Sequence, residues 1–211
     1  LVPTQLIRLL KEENGKSWLK MFAVIWVGGA QISNELFETC KREKIRLAPC
    51  YGSTETAAMV SALKPKEFLK GYKNYGTVLK DIQLRINMEG IIEINSERIG
   101  YELESSSRIG YFKNKTGWWE SGDYGKLIKI NNSDYLIVIG RKDNAFQSGG
   151  ETIFPDLIKS RINEFISDKK IPIKHFLISK IKDDLWENRF LILVNFKTNI
   201  NQKEQKKSID L

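Results

Sequence analysis

The chain has 211 residues, of which 41% are hydrophobic and 28% are charged, and this balance excludes disorder along its whole length. Its formal net charge of +8 raises the question of nucleic-acid binding. The densest basic stretch, residues 201–207, has no aromatic residue on which a base could stack, so we expect a solvated surface there and no nucleic-acid partner. No run of about 18 apolar residues is present, so we expect no membrane-spanning helix.

Cysteine and histidine usage point to an intracellular protein without a zinc site. Cys40 and Cys50 are too few for a disulfide framework, so we expect reduced thiols and a cytoplasmic location. His175 is the single histidine, and we interpret it as structural. Residues 1–4 lack the features of a signal peptide and include no starting Met, so we expect a fragment or a processed chain.

The first part of the chain alternates helices and strands. A helix is predicted over residues 4–10, with Pro3 just before it. The apolar run 22–27 predicts a strand buried on both faces, as in a parallel sheet. Ser33 is predicted to cap the next helix, and residues 45–50 form a second predicted strand. This strand–helix–strand order indicates α/β architecture, in which ligands bind at the carboxyl ends of the strands.

After about residue 75 the pattern changes to short alternating segments separated by Gly, Asn and Asp. These segments predict a small antiparallel β unit with strands at 82–86, 91–94, 118–119, 126–130 and 135–139.

A third pattern begins at residues 140–143. A helix is predicted over residues 156–166 with Pro155 in its first turn, followed by strands at 175–179 and 190–196 and by a polar tail for which a helix is one alternative. The predicted fold class is therefore α/β: an α/β sheet layer with a small antiparallel β unit in residues 1–141, then a small α+β domain in residues 142–211.

Four polar segments in this order need an explanation. They are VGGA at 27–30, YGSTE at 51–55, GWWESGD at 117–123 and GRKDNAFQSGGETIFP at 140–155. Each alone could be a turn: a strand exit, a strand-to-helix turn, a β-turn stabilised by its Asp, and a glycine hairpin turn. YGSTE is too polar to continue a buried strand, and it could instead bring oxygen ligands and backbone amides to a phosphate and its metal.

Taken together, these segments resemble the motifs of the adenylate-forming superfamily, which includes acyl-CoA ligases, peptide-synthetase adenylation domains and luciferases. YGSTE matches the Tyr-Gly-x-Thr-Glu motif, and GWWESGD is similar to Gly-Trp-x-x-Thr-Gly-Asp with Ser121 where Thr is usual. Residues 140–155 resemble the hinge motif, and the similarity runs from residue 1 to about residue 196. Residues 1–10, 27–33 and 140–155 more narrowly resemble o-succinylbenzoate–CoA ligases of the menaquinone and phylloquinone pathway.

The resemblance implies a ligase that uses ATP, Mg²⁺ and coenzyme A. An acid would attack the α-phosphorus of ATP to form an acyl-adenylate, and the CoA thiolate would then release AMP. The implied nucleotide-binding residues are Gly28, Gly29, Ala30, Tyr51, Gly52, Ser53, Thr54, Asp123 and Arg141.

Individual roles follow from the same resemblance. Tyr51 would stack on adenine, with the backbone of residues 28–30 on its other side. Thr54 and Glu55 would be the catalytic pair, with Thr54 at the α-phosphate and Glu55 as the Mg²⁺ ligand, a hard-oxygen role that suits a carboxylate. Asp123 would accept both ribose hydroxyls, and Arg141 would contact the ribose and phosphate region.

The second domain is implied to move. Asp143 falls at the family's hinge position, between an adenylation pose and a thioester-forming pose. Ser148, Gly149 and Gly150 would border the pantetheine tunnel of coenzyme A, where glycine permits a close backbone approach.

The resemblance also implies parts that this sequence does not contain. A phosphate loop is expected upstream of Leu1, and the catalytic lysine is expected in a Gly-Lys-x-x-Arg-like segment. Residues 203–208 hold lysines without that pattern, so none of them is assigned. The alternatives left open are another acyl-CoA synthetase and a non-catalytic nucleotide-binding module, and the oligomeric state is also open, with a homo-oligomer as one possibility.

Overall fold

The computed structural model of the protein describes residues 1–105, 108–111 and 113–197. The chain divides into two compact units, Leu1–Ile139 and Gly140–Leu211, so the break falls just before the predicted boundary at residue 141. The basic stretch 201–207 and the predicted polar tail lie outside the described residues. No helix among the described residues is long and apolar enough to cross a membrane.

The helices, in chain order, are α1 Pro3–Lys11, α2 Gly15–Lys20, α3 Asn34–Arg42, α4 Pro65–Lys70 and α5 Pro155–Asp168. The strands of the first unit begin with β1 Ile25–Val27, β2 Leu47–Ser53, β3 Ala58–Ala62, β4 Thr77–Val78, β5 Gln83–Ile86, β6 Ile91–Asn95, β7 Tyr101–Ser105 and β8 Arg108–Tyr111. They continue with β9 Trp119–Ile130 and β10 Ser133–Arg141, and the second unit adds β11 Phe146–Ser148, β12 Glu151–Ile153, β13 Ile173–Asp183 and β14 Glu187–Phe196.

The predicted α/β beginning of the chain is present. β1 pairs in parallel with β2, and α3 connects them. α3 starts where predicted, because the Ser33 hydroxyl accepts a hydrogen bond from the Leu36 amide at 3.3 Å and satisfies one of the free amides of the first turn. Leu36, Phe37 and Cys40 recur on one face of this helix and are buried in the core beside the parallel strands.

β1 is shorter and less buried than predicted. It spans three residues, and its burial alternates, with Trp26 45% exposed between buried Ile25 and Val27. The prediction of a strand buried on both faces was therefore wrong. β1 is the edge strand of its sheet, and Trp26 points away from the core that covers its neighbours.

β2 extends further than predicted. It continues through Tyr51 and Gly52 to Ser53, and it then turns back into antiparallel β3. YGSTE is thus neither entirely a loop nor a strand-to-helix turn. The expectation was that YGSTE is too polar to continue a buried strand, and this end of β2 is only half-buried, so its polar side chains keep contact with solvent.

The predicted antiparallel strands are continuous with the parallel pair. One eight-stranded sheet has the order β1-β2-β3-β4-β10-β9-β6-β5. Trp119 and the segment predicted at 126–130 belong to the single long strand β9, which also runs through Asp123, so the alternative of a β-turn stabilised by Asp123 is not what forms there. β6 does not alternate as predicted either, since four consecutive residues are buried.

This sheet must curl. Four strand-to-strand steps separate β2 from β9, which is about 19 Å in a flat sheet. The hydroxyl of Tyr51 on β2 nevertheless lies 2.6 Å from the carboxylate of Asp123 on β9. The sheet closes around an apolar cluster whose fully buried members are Val60, Ile92, Ile94 and Leu136.

The second unit combines a short hairpin, a helix and a long hairpin. β11 and β12 pair through a turn in which Gly149 and Gly150 have φ of +57° and +85°, as a two-residue hairpin turn requires. α5 begins at Pro155 and runs to Asp168, close to the predicted span. β13 and β14 pair over their lengths and extend the two predicted strands.

Candidate nucleotide site

Gly28 lies directly against the strand that carries Tyr51. A Cβ atom placed on Gly28 would approach Cys50 Sγ to 2.9 Å and the Cys50 carbonyl oxygen to 3.0 Å. The absence of a side chain therefore lets the exit of β1 pack on β2. Gly29, with φ of +77°, and Ala30 follow as exposed residues.

Tyr51 sits at an irregularity of the sheet. It pairs with Ser61 and Gly52 pairs with Met59, so Val60 is an extra residue on β3. Such a bulge bends the strand and redirects the side chains beside it. The Tyr51 ring meets the Tyr75 ring edge to face, with centroids 6.3 Å apart.

Thr54 and Glu55 lie in the turn between β2 and β3. Thr54 is exposed, Glu55 is partly exposed, and the Thr54 carbonyl accepts a hydrogen bond from the Ala57 amide at 3.0 Å. The Glu55 carbonyl accepts another from the Gly100 amide at 2.8 Å. The backbone of this turn is therefore held from both ends, while the two predicted catalytic side chains face solvent.

Thr56 fixes the turn and was not predicted from the sequence. It is fully buried, and its hydroxyl accepts from the Ser53 amide at 3.0 Å and donates toward the carbonyls of Ala58 at 2.7 Å and Ser53 at 3.0 Å. One hydroxyl thus ties the end of β2 to the start of β3. The only sequence signal is a Thr directly after the Thr-Glu pair, where a short polar side chain can bond to nearby backbone.

We expect Thr56→Val to lower the free energy of unfolding by about 1–3 kcal/mol, because it removes the buried hydroxyl that bonds to part-buried backbone groups of Ser53 and Ala58. Urea unfolding measures this change. Thr116→Val is the matched control in the same unit, since the Thr116 hydroxyl donates to Asn114 in an exposed turn. Equal stability losses in the two variants would contradict the assigned role of Thr56.

Asp123 is presented by a second bulge. β9 pairs Glu120 with Glu93 and Tyr124 with Ile91, so Ser121, Gly122 and Asp123 all stand opposite Ile92. Gly122 takes a left-handed φ of +72° inside this bulge. The Ser121 hydroxyl accepts from the Asp123 amide at 3.1 Å, so Ser supplies here the hydroxyl that Thr usually offers in this motif.

The surroundings of these groups are poorly solvated. Burial, followed by the proximity of Cys50 and Asp123, raises the pKa of Tyr75 to about 12. Burial also raises the pKa of the Cys50 thiol. Tyr75 and Cys50 are therefore neutral at physiological pH.

Arg141 and Asp143 contact each other in the second unit. Arg141 Nε lies 3.0 Å from Asp143 Oδ1, and Nη2 lies 3.4 Å from Oδ2. The guanidinium holds the pKa of the Asp143 carboxyl below its ordinary value. The Ala145 amide approaches the carbonyls of Arg141 and Lys142, so this predicted hinge segment forms a tight turn.

The glycine turn predicted to border the CoA tunnel is packed against the tip of the β13–β14 hairpin. The Gly149 amide donates to the Trp186 carbonyl at 3.0 Å, and a Cβ atom on Gly149 would lie 2.2 Å from the Trp186 ring. The buried Asn188 side chain donates to the Gln147 carbonyl at 2.9 Å. Trp186 and Asn188 were missed by the sequence analysis because their contacts cross about 40 residues of chain.

We expect Gly149→Ala to lower the free energy of unfolding by about 1–3 kcal/mol more than Gly150→Ala does. Both positions have positive φ, which costs an Ala about 1 kcal/mol, but only Gly149 faces Trp186, and Gly150 has open space around it. Denaturant unfolding of the two variants isolates the packing contribution. Indistinguishable stabilities would show that the Trp186 contact does not hold the turn.

The predicted site residues therefore fall into two groups. In the first unit the fold joins Tyr51 to Asp123 and packs Gly28 against Cys50, the residue before Tyr51. It attaches the Thr54–Glu55 turn to the end of the same strand. Gly52 and Ser53 are strand residues between them, and Gly52 pairs so closely with β3 that a Cβ atom would lie 2.1 Å from the Ala58 carbonyl oxygen. The second group, on the other unit, comprises Arg141, Asp143, Ser148, Gly149 and Gly150.

Several curated proteins with similar sequences are described as 2-succinylbenzoate–CoA ligases. The chain is 31% identical over 175 residues to the 2-succinylbenzoate–CoA ligase of Listeria monocytogenes, covering 82% of this chain and 36% of that protein. It is 32% identical over 160 residues to the enzyme of the same description from Escherichia coli, covering 75% of this chain and 32% of that protein. The chain thus spans about a third of the length of these relatives. No protein-family profile matches it.

Solved structures agree in fold. The o-succinylbenzoate CoA synthetase of Bacillus subtilis, in complex with its acyl-adenylate intermediate, superposes with a TM-score of 0.76 at 21% identity, covering 100% of this chain and 43% of that one. The E. coli enzyme with a bound phenylether-linked analogue of OSB-AMS superposes with a TM-score of 0.69 at 24% identity, covering 100% of this chain and 44% of that one. The aligned region is the carboxyl-side part of the neighbour, which confirms the predicted fold class.

Proposed function

We propose, from the premise that this chain is a homologue of the 2-succinylbenzoate–CoA ligases in the adenylate-forming superfamily, that the whole protein ligates o-succinylbenzoate to coenzyme A. ATP is the energy source, and the reaction passes through an acyl-adenylate. The products are o-succinylbenzoyl-CoA, AMP and pyrophosphate. This reaction serves menaquinone or phylloquinone biosynthesis, and we assign it to the cytoplasm, where reduced Cys40 and Cys50 are stable.

The observation that carries the proposal is the meeting of two separate motifs. Tyr51 of the first motif and Asp123 of the second lie 72 positions apart in the sequence, and the curl of the sheet joins them at 2.6 Å. Both stand beside bulges, which are over-represented next to active sites. A packing role alone does not require an aromatic ring and a carboxylate at this junction.

Each side chain has a role in the adenylation step. The Tyr51 ring supports the adenine, and the close approach of Gly28 to Cys50 shapes the strand exit on its other side. The Asp123 carboxylate accepts hydrogen bonds from the two ribose hydroxyls, because one anionic group with two oxygens can receive two donors. The exposed Thr54 hydroxyl donates to the α-phosphate, where charge builds up as the acid attacks.

Glu55 is suited to bind a Mg²⁺ ion that the ATP phosphates also coordinate. Among the described residues no three acidic, His or Cys side chains cluster as a metal site. Mg²⁺ commonly uses one or two carboxylates together with substrate phosphates and water, so a single partly exposed Glu is a sufficient protein ligand. Bound there with ATP, the ion would neutralise phosphate charge during adenylation.

The second unit is proposed to serve the thioester step. Asp143 is the hinge between the domain of residues 1–141 and the mobile domain of residues 142–211, and Arg141 contacts the ribose and phosphate region. The turn formed by Ser148, Gly149 and Gly150 borders the pantetheine of coenzyme A. Its support by Trp186 gives this turn the rigidity that a narrow passage needs.

A panel of acids tests the substrate. Purified full-length protein is mixed with ATP, Mg²⁺ and each acid, and pyrophosphate release is measured with and without coenzyme A. We expect o-succinylbenzoate to give the highest kcat/KM. Preference for a fatty acid or an amino acid would assign the protein to another acyl-CoA synthetase. Failure of every acid in the panel to cause pyrophosphate release would favour a non-catalytic relative that retained the nucleotide site.

A further inference from the structure

We propose that the hydroxyl of Tyr51 is a positioning group for Asp123, separate from the contact of its ring with adenine. In this role the phenol sets the orientation of the carboxylate that receives the ribose hydroxyls. The inference rests on the proposed function, because it concerns how the same site selects a ribonucleotide.

The geometry of the contact is that of a strong hydrogen bond. The Tyr51 hydroxyl donates to Asp123 Oδ2 at 2.6 Å, within the short range seen for a hydroxyl that donates to an anion. The contact joins β2 and β9, which are four strand-to-strand steps apart in the sheet. This hydrogen bond therefore fixes the distance between β2 and β9, which are not paired with each other in the sheet.

The backbone of Asp123 and its side chain are constrained by different contacts. The Ser121 hydroxyl holds the Asp123 amide, and Gly122 takes the left-handed conformation of the bulge. The last torsion of an Asp side chain is broad and roughly two-fold, so backbone placement alone does not aim the two oxygens. The Tyr51 hydroxyl constrains this torsion by donating a hydrogen bond to Oδ2 of the carboxylate.

This arrangement still allows Asp123 to bind a sugar. A carboxylate offers two oxygens with about four lone-pair positions, and the phenolic hydrogen bond occupies one of them. The neighbouring Tyr75 ring is mostly buried, and its pKa of about 12 reflects that burial first. The Tyr51–Asp123 hydrogen bond is therefore partly sheltered from competing water, which makes it more effective at holding an orientation.

A matched pair of Tyr→Phe variants provides the test. Tyr51→Phe keeps the ring and removes the hydroxyl. Tyr135→Phe is the control, because the Tyr135 hydroxyl donates to Glu67 Oε1 at the same 2.6 Å but lies in the packing of α4 against the sheet. Titration calorimetry on the full-length protein gives the Kd of AMP and of 2′,3′-dideoxy-AMP, which lacks both ribose hydroxyls.

In Tyr51→Phe we expect AMP to bind about fivefold to tenfold more weakly, while dideoxy-AMP binds as in the unmodified protein. The preference for AMP over dideoxy-AMP then falls by the same factor. In Tyr135→Phe we expect that preference to be unchanged, whatever happens to thermal stability. Asp123→Asn combined with Tyr51→Phe should bind AMP no more weakly than Asp123→Asn alone.

Three outcomes would overturn the inference. Equal weakening of both nucleotides in Tyr51→Phe would assign the hydroxyl to general support of the fold. Tighter AMP binding in that variant would mean that the phenol competes with the ribose for Asp123. An unchanged preference would remove the hydroxyl from the site, whereas failure of the unmodified protein to bind AMP would refute the proposed function itself.

Discussion

Glu55→Gln is expected to slow formation of the acyl-adenylate about a hundredfold and to raise the Mg²⁺ concentration needed for half-maximal rate. A neutral amide is a poor ligand for a hard divalent cation, so the phosphate charge that builds up in this step loses its counterion. The fold should survive, because Glu55 is partly exposed and the turn is held by backbone contacts and Thr56. Pyrophosphate release at varied Mg²⁺ measures both effects.

Glu97→Gln is the matched control for this change. Glu97 is exposed and lies in the segment that supports the Glu55 turn through the Gly100 amide. The substitution Glu97→Gln therefore removes one negative charge near the turn, as Glu55→Gln does. We expect its rate and its Mg²⁺ dependence to match those of the unmodified protein. Wild-type kinetics in Glu55→Gln would exclude Glu55 from the metal site.

Asp143→Pro is expected to separate the two half-reactions, with one falling about a hundredfold and the other falling much less. Proline fixes φ near −65°, and the two proposed domain poses need different backbone angles at this residue. Misplacement by about 1 Å is enough to cost about a hundredfold in a positioned reaction. ATP–pyrophosphate exchange reports adenylation, and thioester formation from isolated acyl-adenylate reports the second step.

Asp143→Ala distinguishes the backbone effect from the loss of the side chain. It removes the ion pair with Arg141 but leaves φ free. Both half-reactions should therefore change together and by less than tenfold, because the pair is exposed and contributes little to stability. Equal losses in both half-reactions of Asp143→Pro would refute the hinge assignment.

Local signals in the sequence predicted local structure well. The cap of α3 by Ser33 was predictable because a capping hydroxyl bonds only to the turn that follows it. The turn at Gly149 and Gly150 was predictable because a two-residue hairpin turn needs two positive φ values, which glycine adopts readily. The order of the four motifs predicted the superfamily, and similarity to the curated ligases confirms that resemblance.

Features that depend on distant partners were not predicted. The bulge that presents Asp123 exists only because Ile92 of β6 stands opposite three residues of β9. The curl that joins Tyr51 to Asp123 is set by packing around Val60 and Leu136, which no local pattern encodes. The contact of Trp186 with Gly149 likewise depends on the docking of two hairpins.

Isotope transfer from the acid to AMP tests the central claim most directly. Full-length protein is incubated with ATP, Mg²⁺, coenzyme A and o-succinylbenzoate labelled with ¹⁸O in its carboxylates, and the masses of the products are measured by mass spectrometry. If the carboxylate attacks the α-phosphorus, cleavage of the acyl-adenylate leaves one ¹⁸O atom in AMP and none in pyrophosphate. Label in inorganic phosphate with formation of ADP, or turnover without label in AMP, would contradict an acyl-adenylate route.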